Sequence, residues 1–181
     1  MQILMLVGSL RADSWTGQVA EAIAGLLPGD VSSSVYDGLG SLPHYDQDLD
    51  GEHAPEAVCA FREAVAAADA LVVATPEYNG SVTGVLKNAI DWASRPRGSA
   101  ALSGKPAAVV SVSPSPRGAQ WAREDLVKIL GVAGANPLEP AVSVATVHDV
   151  LEDGAIADPD VRRALEGLVA ALVATEESDA A

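Results

Sequence analysis

The sequence predicts an α/β protein in which a five-stranded parallel sheet is doubly wound, with helices on both faces in three layers. Two observations support this fold class. Three short apolar runs without strict alternation have the composition of strands that are buried on both faces: 3–7, 70–75 and 107–112. Between these runs, apolar residues recur with the period of a helix, so strands and helices alternate along the chain.

Weaker patterns predict the remaining elements in chain order. They are a helix after the loop at 8–16, a strand near 31–36, helices near 55–68, 82–90 and 122–133, and a fifth strand near 141–147. The last helix begins at Asp158, a good N-cap, with Pro159 in its first turn, and its apolar residues recur as far as Leu172. The right-handed crossover rule leaves few topologies for this alternation, and we expect the strand order 2-1-3-4-5.

Length and composition predict one domain. The chain has 181 residues, of which 49% are hydrophobic, enough to bury roughly 70% of the unfolded surface in a single core. We expect the domain to span residues 1–174 and the small, acidic segment 175–181 to be a disordered tail. Cys59 is the single cysteine, which excludes an internal disulfide bond, and we expect it to pack as a small hydrophobe in the second helix.

The net charge of the chain and the composition of its first residues predict which partners it binds and where in the cell it lies. With 11 basic and 25 acidic residues the net charge is −14, which disfavours nucleic acid and membrane partners. The first residues carry neither a basic segment nor a long apolar run, so we expect no signal peptide and a cytoplasmic protein. An anionic ligand then needs a locally positive site, because helix-start amides and one arginine act over a few ångströms.

The loop after the first strand has the composition of a phosphate site. Ligands of an open parallel sheet bind beyond the carboxyl ends of the strands, near the reversal of strand order, which here lies between strands 1 and 3. This loop offers three hydroxyls and one guanidinium at a helix start: Ser9, Arg11, Ser14 and Thr16. It has neither of the glycine-rich nucleotide motifs, and its hydroxyls suit a terminal phosphomonoester. The alternative is that Ser14 or Thr16 only caps the helix and Arg11 is a solvated charge.

The loops after the third and fourth strands complete the predicted crevice. The third strand leads into a tight turn whose backbone groups, beside a tyrosine ring, suit a flat heterocycle: Pro76, Glu77, Tyr78, Asn79, Gly80 and Ser81. The alternative is a structural turn in which Asn79 caps the next helix. The loop after the fourth strand contributes Ser113 and Arg117, and the irregular segment 38–51 is a candidate rim.

These loops resemble the NADPH-dependent FMN reductase family of flavodoxin-like proteins, which also includes chromate, quinone and azo reductases. The resemblance covers roughly residues 1–150, and its most specific parts are Gly8-Ser9-Leu10-Arg11 with Ser14 and the segment 76–92. It implies a flavodoxin-like fold, bound FMN, and hydride donated by NADPH or NADH. It also implies a small electron acceptor, such as free flavin, a quinone, an azo compound or a metal oxyanion.

The resemblance assigns roles to the loop residues. It implies that the FMN phosphate is held by Ser9, Arg11, Ser14 and Thr16, the last standing where the family usually has asparagine. It implies that residues 76–81 line the isoalloxazine ring and that Ser113 and Arg117 approach it from the next loop. We expect Glu77 to shape the turn or reach a partner subunit rather than act as a base.

No catalytic side chain or metal site is expected, since the flavin carries the hydride chemistry. The three histidines have no mutual spacing that suggests a site: His44, His53 and His148. Arg95 and Arg97 are candidates for the 2′-phosphate of NADPH, with a solvated loop as the alternative.

The family resemblance implies a homodimer or homotetramer. Its contact would use the third and fourth helices, including Trp92 and Trp121, unless both tryptophans pack internally. Two other functions stay open. One is a flavodoxin-like electron carrier that binds FMN but does not use NADPH. The other is a Rossmann-type dinucleotide-binding protein with Asp37 as ribose ligand, against which the missing glycine fingerprint counts.

Overall fold

The computed structural model describes residues 1–51 and 54–179, which fold around a parallel sheet. Its strands are β1 Gln2–Val7, β2 Ser32–Val35, β3 Ala70–Thr75, β4 Pro106–Val112, β5 Asn136–Pro137 and β6 Val142–Val144. All of their pairings are parallel, in the order β2-β1-β3-β4, with both β5 and β6 beside β4. The predicted doubly wound sheet with the flavodoxin-like order 2-1-3-4-5 is therefore confirmed.

The fifth strand position is divided, whereas the sequence predicted one strand near 141–147. β5 pairs with the start of β4, and β6 pairs with its end. Pro140 lies between the two pieces and has no N–H to donate to a ladder, so pairing is interrupted there. The strand pairing ends at Val144, and Val147 already begins a short helix.

Helices cover both faces of the sheet. Within the described residues they are α1 Trp15–Ala24, α2 Glu56–Ala67, α3 Gly84–Ala93, α4 Gln120–Ala133, α5 Val147–Val150 and α6 Pro159–Asp179. A small antiparallel hairpin, β7 Leu151–Glu152 with β8 Ala155–Ile156, was not predicted and precedes α6. No helix in the described part of the chain combines the length and apolarity needed to cross a membrane.

The last helix begins where the sequence predicted and ends later. The Asp158 side chain accepts hydrogen bonds from the amides of Asp160 and Val161, both at 2.9 Å, which makes it the N-cap. The helix continues to Asp179, so residues 175–179 of the predicted tail are helical. An ion pair of 3.3 Å between the terminal amine of Met1 and Glu176 ties this last turn to the sheet. Residues 180–181 lie outside the described residues.

The sheet separates two apolar layers, as strands buried on both faces require. Alternate residues of a strand point to opposite faces. Ile3 and Met5 of β1 therefore pack in the layer formed with α1 and α6, whereas Leu4 and Leu6 pack in the layer formed with α2, α3 and α4. This arrangement confirms the predicted three layers.

The segment 38–51 is fastened to α3 rather than loose. It contains two short 3-10 helices, Asp37–Ser41 and Gln47–Leu49. The Pro43 carbonyl accepts hydrogen bonds from the Asn88 amide at 2.9 Å and from the Trp92 indole at 2.8 Å. Trp92 is 0% exposed, so it packs internally and is not available for the predicted contact between subunits.

The prediction that Cys59 packs as a small hydrophobe is wrong, because its side chain is exposed. The buried stripe of α2 consists of Val58, Phe61 and Val65. Cys59 follows Val58 by one residue and is therefore rotated by about 100° from that stripe.

We expect Phe61→Ala to lower the free energy of unfolding by about 3–5 kcal/mol, because it leaves a cavity beneath α2. Cys59→Ser on the same helix is the matched control and should change that free energy by less than about 0.5 kcal/mol. Urea unfolding of the FMN-free variants measures both values. Equal losses for the two variants would contradict the packing of α2.

Candidate cofactor site

The carboxyl ends of the three central strands lie level at one edge of the sheet. Val7 of β1 pairs with Ala74 of β3, and Thr75 pairs with Ser111 of β4. The amide of Gly8 donates to the Ala74 carbonyl at 2.8 Å, which fixes the start of the first loop against β3. The loops that follow β1, β3 and β4 therefore converge, as the strand order predicts.

Ser14 is the N-cap of α1. Its hydroxyl accepts a hydrogen bond from the Gly17 amide at 3.0 Å. A Cβ at Gly17 would approach that same hydroxyl oxygen to 3.0 Å, so glycine suits this close contact. The structure thus shows the helix cap that the alternative assigned to Ser14 or Thr16, and it places the cap at Ser14. This cap does not exclude a ligand, because the hydroxyl proton of Ser14 is still free to be donated.

The start of α1 is a locally positive site in an acidic protein. The first amides of a helix have no intrahelical acceptors and carry the positive end of the helix dipole. Ser9 is half-buried beside them, Thr16 is buried in the first turn, and Arg11 is exposed. Among the described residues, Arg11 forms no ion pair with a carboxylate. Its guanidinium is therefore available to an anion at this helix end.

Thr83 is a site residue that the sequence did not single out. It precedes α3, is 2% exposed, and its hydroxyl has no hydrogen-bond partner in the described part of the protein. A Cβ at Gly8 would come within 3.0 Å of this hydroxyl oxygen, so Thr83 lies directly against the first loop. A buried, unpaired hydroxyl costs about 1–3 kcal/mol. Thr83 is thus a buried polar group at this edge of the sheet for which the described protein offers no partner.

The loop after β3 forms a closed turn. The amide of Tyr78 donates to the Ser81 carbonyl at 3.0 Å, and the amide of Ser81 donates to the Tyr78 carbonyl at 3.2 Å. Asn79 and Gly80 have φ values of +54° and +77°, as a two-residue turn of type I′ requires at both central positions. Asn79 is therefore a turn residue, and the alternative that it caps α3 is wrong because Thr83 holds the cap position.

The turn is held against the start of α4. The Glu77 carboxylate accepts a hydrogen bond of 3.2 Å from the Ala122 amide in the first turn of α4. The Ser81 hydroxyl donates to Asp125 at 2.6 Å. Ala119, at the N-cap position, has no side chain able to cap the helix, so Glu77 supplies that acceptor from a distant loop. This contact matches the expectation that Glu77 shapes the turn.

Aromatic rings flank the turn. Tyr78 is 53% exposed and Trp121 is 52% exposed. A Cβ at Gly80 would lie 3.3 Å from the Trp121 ring, which shows how closely the indole packs on the turn. The sequence predicts Trp121 as a subunit contact or an internally packed residue. It does not place Trp121 at this turn, because no local pattern shows that α4 begins beside it.

The loop after β4 is brought to the same edge but is partly self-contained. The Ser113 hydroxyl accepts a hydrogen bond of 3.0 Å from the Ser115 amide and lies 3.0 Å from the Ser115 hydroxyl. Arg117 is exposed, with its guanidinium carbon 5.1 Å from the centroid of the Trp121 ring. It borders a recess of about 310 Å³ between this loop and the turn after β3.

Arg95 and Arg97 lie away from these loops. They follow α3 and border a groove of about 590 Å³ that runs between α3 and α4. The ten residues of α3 separate them from Thr83, a distance of about 15 Å along the helix. His44 and His148 are exposed, and His53 lies outside the described residues. The described residues contain no group of three or more side chains placed to hold a metal ion.

The chain is similar to known proteins in sequence and in fold. The family model described as NADPH-dependent FMN reductase matches residues 1–149. The chain is 50% identical over 113 residues to a 2-hydroxy-1,4-benzoquinone reductase of a Burkholderia species, covering 62% of this chain and 61% of that protein. The chain thus spans about 60% of the length of this relative and of two quinone reductases of Pseudomonas putida.

Two further relatives align over nearly the whole chain. An NAD(P)H-dependent FMN reductase of Pseudomonas aeruginosa is 37% identical over 174 residues, covering 95% of this chain and 93% of that protein. The solved structure of FerB, a flavoenzyme NAD(P)H:(acceptor) oxidoreductase from Paracoccus denitrificans, superimposes with a TM-score of 0.85 at 35% identity. That superposition covers 95% of this chain and 94% of FerB. The chain belongs to the NADPH-dependent FMN reductase family.

Proposed function

We propose that the protein is an FMN-dependent NAD(P)H oxidoreductase. FMN, when bound, supplies the ring that accepts a hydride from NADPH or NADH and reduces a small acceptor: free flavin, a quinone, an azo compound or a metal oxyanion. The observation that carries the proposal is the convergence of three loops at one edge of the sheet, where the start of α1 and Arg11 offer donors to an anion. The names and activities of the relatives support the same function.

The first loop is suited to the FMN phosphate. Arg11 supplies a charged donor, the amides at the start of α1 supply neutral donors, and Ser14 retains its hydroxyl proton while capping the helix. Ser9 and Thr16 complete the set that we assign to the phosphate. This local concentration of donors offsets the overall charge of −14, because bulk salt screens the distant carboxylates.

The turn after β3 is suited to one edge of the isoalloxazine ring. The backbone groups of Tyr78 and Ser81 bind each other, whereas the amides of Asn79 and Gly80 have no backbone acceptor within the described residues. The hydrogen bonds from Glu77 and Ser81 to α4 hold these amides in place before a ligand arrives. Preorganised donors of this kind stabilise negative charge that develops on a bound ring. We assign residues 76–81 to the ring on this basis.

The two assigned side chains of the loop after β4 already make contacts within the protein. The Ser113 hydroxyl is already bonded within its own loop, and Arg117 lies on Trp121. We keep both as residues that border the ring. No side chain at this edge is required as a general acid or base.

We also propose a cytoplasmic homodimer or homotetramer that is joined through α3 and α4. Val132 of α4 is 84% exposed and borders the groove between these two helices together with Ile129. Association through an isologous contact would cover this apolar surface. Sedimentation of the FMN-loaded protein measures the mass of the assembly directly.

Anaerobic mixing with NADPH tests the enzyme against the electron-carrier alternative. We expect the visible absorbance of the bound flavin to be lost rapidly with NADPH or NADH, because the family relatives are named for this activity. The control is the same concentration of free FMN mixed with the nucleotide in the absence of protein. Persistence of the oxidised flavin spectrum would instead favour a carrier that is reduced by another protein.

Arg11→Ala should weaken FMN binding by roughly ten- to a hundredfold. The substitution removes a charge-assisted hydrogen bond worth about 1.5–3 kcal/mol. Arg163→Ala is the matched control, since it removes the same charge from an exposed ion pair on α6. Fluorescence titration of the FMN-free proteins gives the dissociation constants. If the two variants bind FMN equally well, the phosphate assignment is wrong.

Thr83→Val should leave the free energy of unfolding of the FMN-free protein unchanged or raise it. The buried hydroxyl has no partner among the described residues, and valine has nearly the same shape without the unpaired polar group. Thr83→Ser keeps the hydroxyl and loses a methyl group, so it should be less stable than the valine variant. Urea unfolding measures both free energies, and a valine variant less stable than the wild type would contradict the isolation of this hydroxyl.

A further inference from the structure

A recess of about 310 Å³ lies beside the turn after β3, and one of the side chains that line it is a cation without a carboxylate partner among the described residues. It is lined by Glu77, Arg117, Gln120 and Trp121. The Glu77 carboxylate is held by the Ala122 amide at 3.2 Å, and the Gln120 amide group donates to Glu124 at 2.7 Å. The Trp121 ring is held against Gly80.

Arg117 is the group in this recess that has no committed polar partner. It is exposed and forms no ion pair with a carboxylate of the described chain. Its guanidinium carbon lies 5.1 Å from the Trp121 centroid, within the range of a cation–π contact. Such a contact leaves the N–H groups at the edge of the guanidinium free to bind an anion.

Glu77 lines the same recess but does not form an ion pair with Arg117. Its carboxylate accepts a hydrogen bond from the first turn of α4, where the positive end of the helix dipole partly balances its charge. The recess therefore presents an aromatic surface beside a positive group that has no carboxylate partner in the described chain. In a chain with a net charge of −14, this combination offers an anionic aromatic molecule a local attraction that the overall field lacks.

We propose that this recess is the acceptor subsite and that Arg117 gives the enzyme a preference for planar aromatic acceptors carrying an anionic substituent. The inference rests on the proposed function, because it is the turn assigned to the flavin that places the recess beside the ring. The acceptor lies beside Trp121 with its anionic group on Arg117. In the overall reaction NAD(P)H, a proton and a quinone give NAD(P)⁺ and the hydroquinone, so the quinone is the two-electron oxidant.

The test compares two quinones on the FMN-loaded protein. The probes are 1,4-naphthoquinone-2-sulfonate, which is anionic, and 2-methyl-1,4-naphthoquinone, which is neutral. The quantity measured is the ratio of their kcat/KM values, per bound flavin, so that a change in flavin content cancels. Comparing this ratio between variants also cancels the difference in reduction potential between the probes.

Arg117→Gln should lower this ratio about three- to tenfold, the loss expected for an exposed charged contact. Arg163→Gln removes the same charge from α6 and should keep the wild-type ratio. The difference between the wild type and Arg117→Gln should shrink in added salt, because screening weakens the contact between Arg117 and the sulfonate. Arg117→Lys keeps the charge and should keep most of the wild-type ratio, which provides a second variant if Arg117→Gln folds poorly. If Arg117→Gln and Arg163→Gln have identical ratios, the proposal is overturned.

Two arms separate this inference from the proposed function. Reduction by NADPH is followed in one arm, and reoxidation by each quinone after chemical reduction with dithionite is followed in the other. Failure of NADPH to reduce the wild type would refute the proposed function while the reoxidation ratio still tests Arg117. If Arg117→Gln slows reduction by NADPH and leaves the reoxidation ratio unchanged, the guanidinium binds a phosphate of the nucleotide and the acceptor subsite is refuted.

Discussion

The parallel pairing of β1, β3 and β4 is the constraint on which the rest of this protein depends. Each of these strands is buried on both faces, so their backbone groups must be paired with neighbouring strands and their side chains must fill two apolar layers. That requirement sets the register, and the register places three strand ends level with one another. The loops that follow can then act on one ligand although they are far apart in sequence.

The same edge of the sheet shows how helix ends are used. The start of α1 is capped by Ser14, yet its amides and the Ser14 proton stay available to an anion. The start of α4 is capped by Glu77 from the turn after β3, which fixes that turn to the helix. The start of α1 thus has donors available to a ligand, whereas the start of α4 binds Glu77 and thereby positions the turn after β3. The hydroxyl of Thr83, at the start of α3, lies against Gly8 of the first loop and has no partner among the described residues.

Local charge rather than total charge decides what such a site can bind. The chain carries a net charge of −14, yet Arg11 and Arg117, each without a carboxylate partner in the described residues, lie in the first and third of the loops at this edge. Two cations in different loops can serve two anionic groups at once. Under the proposed function, an acidic protein with this arrangement would hold a phosphate at one end of the crevice and receive a second anion at the other.

The sequence by itself determined the fold class, the strand order, the cap at Asp158 and the loops that converge, because these follow from local apolar runs and from helix-start residues. The tertiary structure alone decided the contacts between distant segments. Glu77 caps a helix 45 residues away, and the buried Trp92 donates a hydrogen bond to the carbonyl of Pro43, 49 residues before it. Pro140 divides the fifth strand only because both flanking pieces reach β4. The isolation of the Thr83 hydroxyl, likewise, is a property of everything that packs around it, which no local pattern encodes.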